Sequence, residues 1–370
     1  MKDESREPTG VRETARQVAE IRRRWAWVEP SVWTDRMLAA LENGVKGGVW
    51  YSLMDKVESI SNLRASFRRV RQNGGAAGVD RVTIEMFEQR LEENLTKLQR
   101  DLQEGRYRPA AIRRTWIPKP GKQEKRPLGI PTVRDRVVQT ALRNVLEPIF
   151  EKRFAKQSFG FRPERGCRAA LERVVELLEG GYRFVVDVDL RQYFDSIPHA
   201  PLMGRIHQDV ADGRVLGLLE SFLDQEIFEG LDRWTPTSGT PQGAVISPLL
   251  SNIYLNPLDH LMAEQGFEMI RYADDFVVLC RSREAAEEAL GVIRRWVEDA
   301  GLALHPVKTK IVMSPEEAFE FLGYRFVRGH RFPRPSSCKK LRESVRAKTR
   351  RCNGTSIPTI VEAVNPTLKG

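Results

Sequence analysis

YRFVVDVDL (residues 182–190) and FEMIRYADDFVVLC (267–280) decide the fold. In the first, Val185, Val186 and Val188 form a β-branched apolar run, with Asp187 inside it and Asp189 near its end. That is the pattern of a buried strand. The second reads as two short strands hinged at Ala273-Asp274-Asp275, a hairpin. Helical segments follow or precede each: RAALERVVELLEGG (168–181) ends on two glycines and EAAEEALGVIRRWVEDAG (284–301) on Gly301. Further out, Phe87, Leu91, Leu95, Leu98 and Leu102 recur at three- and four-residue spacing within 82–105, an amphipathic helix. Residues 133–154 and 339–351 also read as helical, as do 11–43 with a break near Pro30. YRPAAIRRTWIPKPGKQEKRPLGIP (107–131) is an extended basic stretch with a turn signal at Pro120-Gly121, and FEFLGYRFV (319–327) is another strand pair. Strands and helices alternate around a central hairpin, which predicts an α+β sheet rather than a doubly wound parallel one.

The chain has 370 residues, 60 Lys+Arg against 50 Asp+Glu, and a formal charge of +10. Residues 325–351 hold eleven Lys/Arg against Glu343 alone, which equals the whole surplus. A second patch, 106–126, has eight bases against Glu124. Two basic patches on a neutral body suit two grips on a polyanion, since each neutralised phosphate releases counterions; a solvated basic face is the plainer alternative. The four cysteines are scattered without a CxxC spacing, which disfavours a zinc knuckle or disulfide framework. No apolar run approaches the ~18 residues of a membrane helix. The opening MKDESREPTG lacks an apolar signal core, so a cytoplasmic protein without membrane contact is expected.

Three carboxylates sit where carboxylates are costly. Asp189 closes an apolar strand, and Asp274-Asp275 forms the tip of an apolar hairpin. Singly, each has a plain explanation, as a turn former or a helix cap. Converging on one sheet edge they would repel one another unless cations neutralised them, and hard oxygen ligands suit Mg²⁺, with Mn²⁺ as a substitute. Two such ions about 3.5–4 Å apart serve nucleotidyl transfer. The basic hairpin around Lys119 and Arg126 is placed to meet a triphosphate.

DVDLRQYFDSI (187–197), TPQGAVISPLLSNIYL (240–255), RYADDFVVLC (271–280), HPVKTKIV (305–312) and FEFLGY (319–324) occur in the order seen in reverse transcriptases. With GAAGVD (75–80), RPLGIPTVRDRVVQTAL (126–142) and SFGFRPERGC (158–167), the set resembles group II intron-encoded reverse transcriptase/maturases over residues 55–370. The resemblance implies a right-hand polymerase fold: an N-terminal helical extension (1–54), fingers with part of the palm (55–181), a palm with an antiparallel sheet flanked by helices (182–332), and the start of a helical thumb or X domain (333–370). It implies that Asp189, Asp274 and Asp275 hold two Mg²⁺ ions. Phe194 would be a steric gate under the sugar, and Gln242 and Gly243 would line the nucleotide pocket. Lys119 and Arg126 would clamp the triphosphate and Lys308 would lie near the phosphates. Phe321, Leu322, Gly323 and Tyr324 would form a primer grip; Arg162 and Arg165 would touch the template, with structural arginines as the alternative. The basic tail with Lys339, Lys340, Arg346 and Arg350 would bind nucleic acid.

The implied function is RNA-directed DNA synthesis on intron RNA, together with splicing assistance. The implied partners are group II intron RNA, an RNA template with a DNA primer, dNTPs and a DNA target site. A splicing cofactor with an idle polymerase site, and a relative recruited to phage defence, are the alternatives. Intact carboxylates, gate and Pro-Gln-Gly favour catalysis. Such proteins usually continue through a full thumb, and many add a Cys-rich endonuclease. The sequence here stops at NPTLKG (365–370) with no such Cys/His cluster, so cleavage of a target strand by these residues is not expected.

Overall fold

A computed structural model describes residues 9–118, 125–350, 354 and 356–369. Its strands are β1 (Ile112–Pro118), β2 (Lys125–Ile130), β3 (Phe184–Asp189), β4 (Ile227–Glu229), β5 (Asp232–Trp234), β6 (Glu268–Tyr272), β7 (Asp275–Cys280), β8 (Lys310–Met313), β9 (Phe319–Phe321), β10 (Tyr324–Val327) and β11 (His330–Pro333). They form three sheets, in the orders β2-β1-β4-β5, β6-β7-β3-β8 and β11-β10-β9. Every pair in the second sheet is antiparallel. Helices pack around these sheets, giving the expected α+β architecture.

The central sheet is buried on both faces, which is why β3 and β7 read as unbroken apolar runs rather than alternating ones. On one face Val186, Val188, Phe276 and Val278 join the main core, with Ile293 and Val297 of the helix Arg283–Asp299. On the other, Val185, Val277, Leu279 and Val312 meet Ala170 and Val174 of the helix Cys167–Glu179 and Phe319, Phe321 and Phe326 of the third sheet. The helix Val133–Glu151 runs through the main core with both apolar and polar side chains buried. The N-terminal segment shares that core: Trp25, Val32, Trp33 and Leu38 belong to it, and the Trp33 indole donates to the carbonyl of Asn144 at 2.9 Å. The boundaries at 54/55 and 181/182 therefore do not coincide with gaps in the packing.

Local readings hold with adjustments. The 11–43 stretch is two helices, Thr9–Arg24 and Asp35–Asn43, the second capped by Thr34. The 82–105 helix is divided at Arg90 into Ile84–Gln89 and Leu91–Gln103. The basic hairpin pairs Ile117 with Arg126, while its turn, with Lys119, lies outside the described residues. The β4–β5 hairpin has no counterpart in the sequence reading; it extends the fingers-type sheet through a parallel pairing with β1. Among the described residues no helix is long and apolar enough to cross a membrane.

Candidate active site

The register of the central sheet assembles the site. β3 and β7 pair so that Asp189 lies directly opposite Asp275, and β6 pairs so that Tyr272 also faces Asp275. Only Ala273 and Asp274 remain between the two strands, so Asp274 stands on the tip of a two-residue hairpin. Ala273 takes φ +59, a left-handed conformation that costs a non-glycine residue energy. The three carboxylates expected to converge thus share one sheet edge.

Their electrostatics reflect crowding. Asp275 is still reached by solvent, yet its carboxyl is pushed up to about 7 by partial desolvation, then by Asp187, Asp274 and Asp189, against the pull of Arg334. Asp274 is raised by burial and by Asp189, opposed by its own backbone N–H and by Arg271. Asp187, two residues before Asp189 and hence on the same face, is pushed up to about 6 by burial, with Lys310 opposing and Asp189 and Glu320 adding to it. The sequence reading passed over Asp187, although period-two alternation in VVDVD carries the signal. Lys308 Nζ bonds Asp189 Oδ2 at 2.9 Å. Among the described residues no three Asp, Glu, His or Cys side chains are drawn into a closed ligating set. The donors are nonetheless all hard carboxylate oxygens in mutual repulsion, which fits a divalent cation such as Mg²⁺ better than any softer metal.

Around the carboxylates, Phe194 is half-buried in the short helix Tyr193–Ser196. Its carbonyl accepts from Thr240 N–H at 2.6 Å, and Gly239 N–H donates to Ile197 at 2.7 Å. The Thr-Pro-Gln-Gly segment is therefore sewn alongside Phe194. Gln242 Nε2 donates to Asp195 Oδ2 at 3.4 Å. Gly243 has φ +103, and a Cβ there would lie 2.4 Å from the carbonyl of Gly129. The close approach that this glycine admits is that of β2; Gly129 N–H also donates to the Gln242 carbonyl at 2.6 Å. Arg126 is exposed on β2.

Two expected contacts, those of the Arg162 and Phe321 side chains, are corrected. Arg162 is only 3% exposed and is spent on the fold: it forks onto Glu151, donates to the carbonyls of Ala155 (2.6 Å) and Ser158 (2.8 Å), and stacks over Phe154. It has no free donor face for a template. Arg165 donates to the Lys156 carbonyl at 2.8 Å and lies over Phe159 but is only half-buried, so the structure does not contradict a template contact there. In Phe321-Leu322-Gly323-Tyr324, Leu322 and Gly323 form the turn of the β9–β10 hairpin with φ +47 and +83, the geometry of tight hairpins. Phe321 is 1% exposed in the second core, so its ring is unavailable to a primer; only the turn and Tyr324 remain open. The helix Pro335–Lys348 buries no residue, and Lys339, Lys340 and Arg346, with Arg350 beyond it, face solvent.

A sheet edge bearing three acidic side chains, with the Phe194 segment and a basic hairpin beside it, suits a nucleotidyl-transfer polymerase. The family model described as "Reverse transcriptase (RNA-dependent DNA polymerase)" matches residues 117–326. The chain is 36% identical over 291 residues to Protein YkfC of Escherichia coli (strain K12), covering 68% of this chain and 76% of that one. It is 40% identical over 173 residues to the group II intron-encoded protein LtrA of Lactococcus lactis subsp. cremoris, covering 47% of this chain and 29% of LtrA. A solved structure of telomerase from Candida albicans aligns over 78% of this chain and 58% of its own, at 13% identity and TM-score 0.48. The chain belongs to the reverse transcriptase family, and over part of its length it is similar to a group II intron-encoded protein. It spans less than a third of LtrA.

Proposed function

We propose that this chain copies RNA into DNA, with Asp189, Asp274 and Asp275 holding two Mg²⁺ ions and with Mn²⁺ able to replace them. The observation that carries this reading is the β3–β7 register, which sets Asp189 opposite Asp275 beside the Asp274 turn. Bound there, the cations would supply activation of a primer 3′-hydroxyl and neutralisation of the departing pyrophosphate. Lys308 exchanges its bond with Asp189 for the substrate phosphates, Arg126 with Lys119 holds the triphosphate, and Phe194 beneath the sugar excludes a 2′-hydroxyl. Gln242, oriented by Asp195, lines the pocket, and the turn at Leu322-Gly323 with Tyr324 steadies the primer end. The solvent-facing cations of 335–350 grip the template duplex through its phosphates, without base readout.

The substrates that this reading implies are dNTPs and an RNA template with a DNA primer; the template in the cell would be group II intron RNA, inserted at a DNA target. A maturase role in splicing the same RNA accompanies it, supported by the exposed basic helix and by the intron-encoded relative. The test is nucleotide selection. Phe194→Val should raise ribonucleotide incorporation relative to dNTPs, while Asp189→Asn should abolish incorporation of both and leave RNA binding intact. Unchanged selection in the first variant, or undiminished synthesis in the second, would refute these assignments.

A further inference from the structure

Behind the Asp274 turn lies a polar cluster that joins three sequence motifs. Arg271 and Asp259 are both 0% exposed. Arg271 Nε and Nη2 donate to the two oxygens of Asp259 at 2.7 and 2.5 Å. Its third arm, Nη1, donates to Asn252 Oδ1 at 2.8 Å and to the carbonyl of Ala273 at 2.9 Å. Asn252 Nδ2 in turn donates to the carbonyl of Gly160 at 2.8 Å. The backbone of Arg271 is bonded on both sides to the 157–159 segment, its N–H to Gln157 and its carbonyl to Phe159, at 2.9 and 2.8 Å. Gly160 then presses so closely on the hairpin that a Cβ there would lie 2.3 Å from Ala273 N.

Stability alone does not account for this cluster. A buried ion pair returns little net free energy, because desolvating two charges offsets their attraction. What it supplies is a fixed arrangement, and the arrangement is aimed at Ala273, the residue held at φ +59. Such a conformation persists only where the surroundings over-determine it. Here a rigid guanidinium fork bonds that residue's carbonyl from one side, while Gly160 closes on its N–H side. Lysine could match the charge of Arg271 but not the simultaneous fork to Asp259 and the third arm.

We propose that Arg271, fixed by Asp259 and Asn252, is a positioning residue that sets the Ala273–Asp274 turn and so the place of Asp274 relative to Asp189 and Asp275. The inference rests on the polymerase reading given above, and its test includes the metal-free protein so that the two can fail separately. Asn252→Ala leaves the Arg271–Asp259 pair intact, so no buried charge is stranded. In metal-free protein, hydrogen exchange of amides in 272–276 should quicken at least about tenfold, while the rest of β3 and β7 and the thermal midpoint stay near wild type. In single-nucleotide addition, kcat should fall roughly 10- to 100-fold, with KM for dNTP and template–primer affinity nearly unchanged. Arg271→Lys should loosen the same peptide and lose at least as much rate. Wild-type exchange and kcat in both variants would overturn the proposal, and so would loosening spread evenly over the sheet with a lowered midpoint, which marks a merely structural role. Local loosening in a protein whose wild type adds no nucleotide would instead uphold the turn clamp and refute the polymerase reading.

Discussion

Asp275 and Asp187 hold protons more tightly than free aspartates, and the sign of that shift has a consequence for the whole protein. The folded chain keeps a proton on Asp275 up to about 7, whereas the unfolded chain releases it near the ordinary value of 3.8. Folding therefore binds protons across that window, and the stability tied to this group is present at low pH and lost as pH rises toward 7. Asp187 acts in the same direction up to about 6. The expected outcome for metal-free protein is a thermal midpoint that Mg²⁺ raises more at pH 8 than at pH 5, read by scanning calorimetry. Asp275→Asn should shrink that difference. Equal Mg²⁺ shifts at both pH values would contradict the repulsive cluster. A second single-residue expectation concerns Asp212, whose carboxylate caps two helices at once. It accepts from Leu53 and Met54 at 2.7 and 2.9 Å and from Arg214 and Val215 at 3.0 and 3.2 Å. Asp212→Ala should cost on the order of 2–4 kcal/mol in urea unfolding, since both caps are lost together.

At the scale of elements, what could be read from the sequence was whatever depends on near neighbours. The apolar runs of β3 and β7, the amphipathic stretch at 82–105 and the hairpin at Ala273-Asp274 are set by local alternation and spacing, and each is present. The pairing of Asp189 with Asp275 depends on register between strands far apart in the chain, and resemblance rather than pattern pointed to it. The short strands β4 and β5, from IFE and DRW, are too polar and too brief to announce themselves. Arg162 shows the same gap for sites: an arginine in a polar loop looks alike whether it meets a phosphate or Glu151. Arg271 did carry a signal, a charge inside an apolar strand, but its partners Asp259 and Asn252 sit on the helix Ser247–Glu264 and only the fold joins them. The helix Pro335–Lys348 and the Arg162 loop make opposite predictions. Neutralising Lys339, Lys340, Arg346 and Arg350 should weaken RNA binding and reduce the slope of its salt dependence, by roughly one unit per lost phosphate contact. Arg162→Ala should leave that slope unchanged and destabilise the fold instead, because Glu151 would lose its buried partner.

Taken as a whole, the molecule joins a palm-type sheet, whose edge concentrates negative charge, to a fingers-type sheet through the Gln242–Gly129 backbone contact and to a basic helix facing solvent. In the proposed reading, nucleic acid bridges those regions, its phosphates at the cations and its reacting end at the carboxylates. The measurement that tests this account most directly is extension of a DNA primer on an RNA template with dNTPs and Mg²⁺, comparing the chain with its Asp274→Asn variant at equal RNA occupancy. The account predicts templated DNA product from the wild type alone, with RNA bound equally by both. Equal extension by the two proteins, or none by either despite bound template–primer, would contradict it.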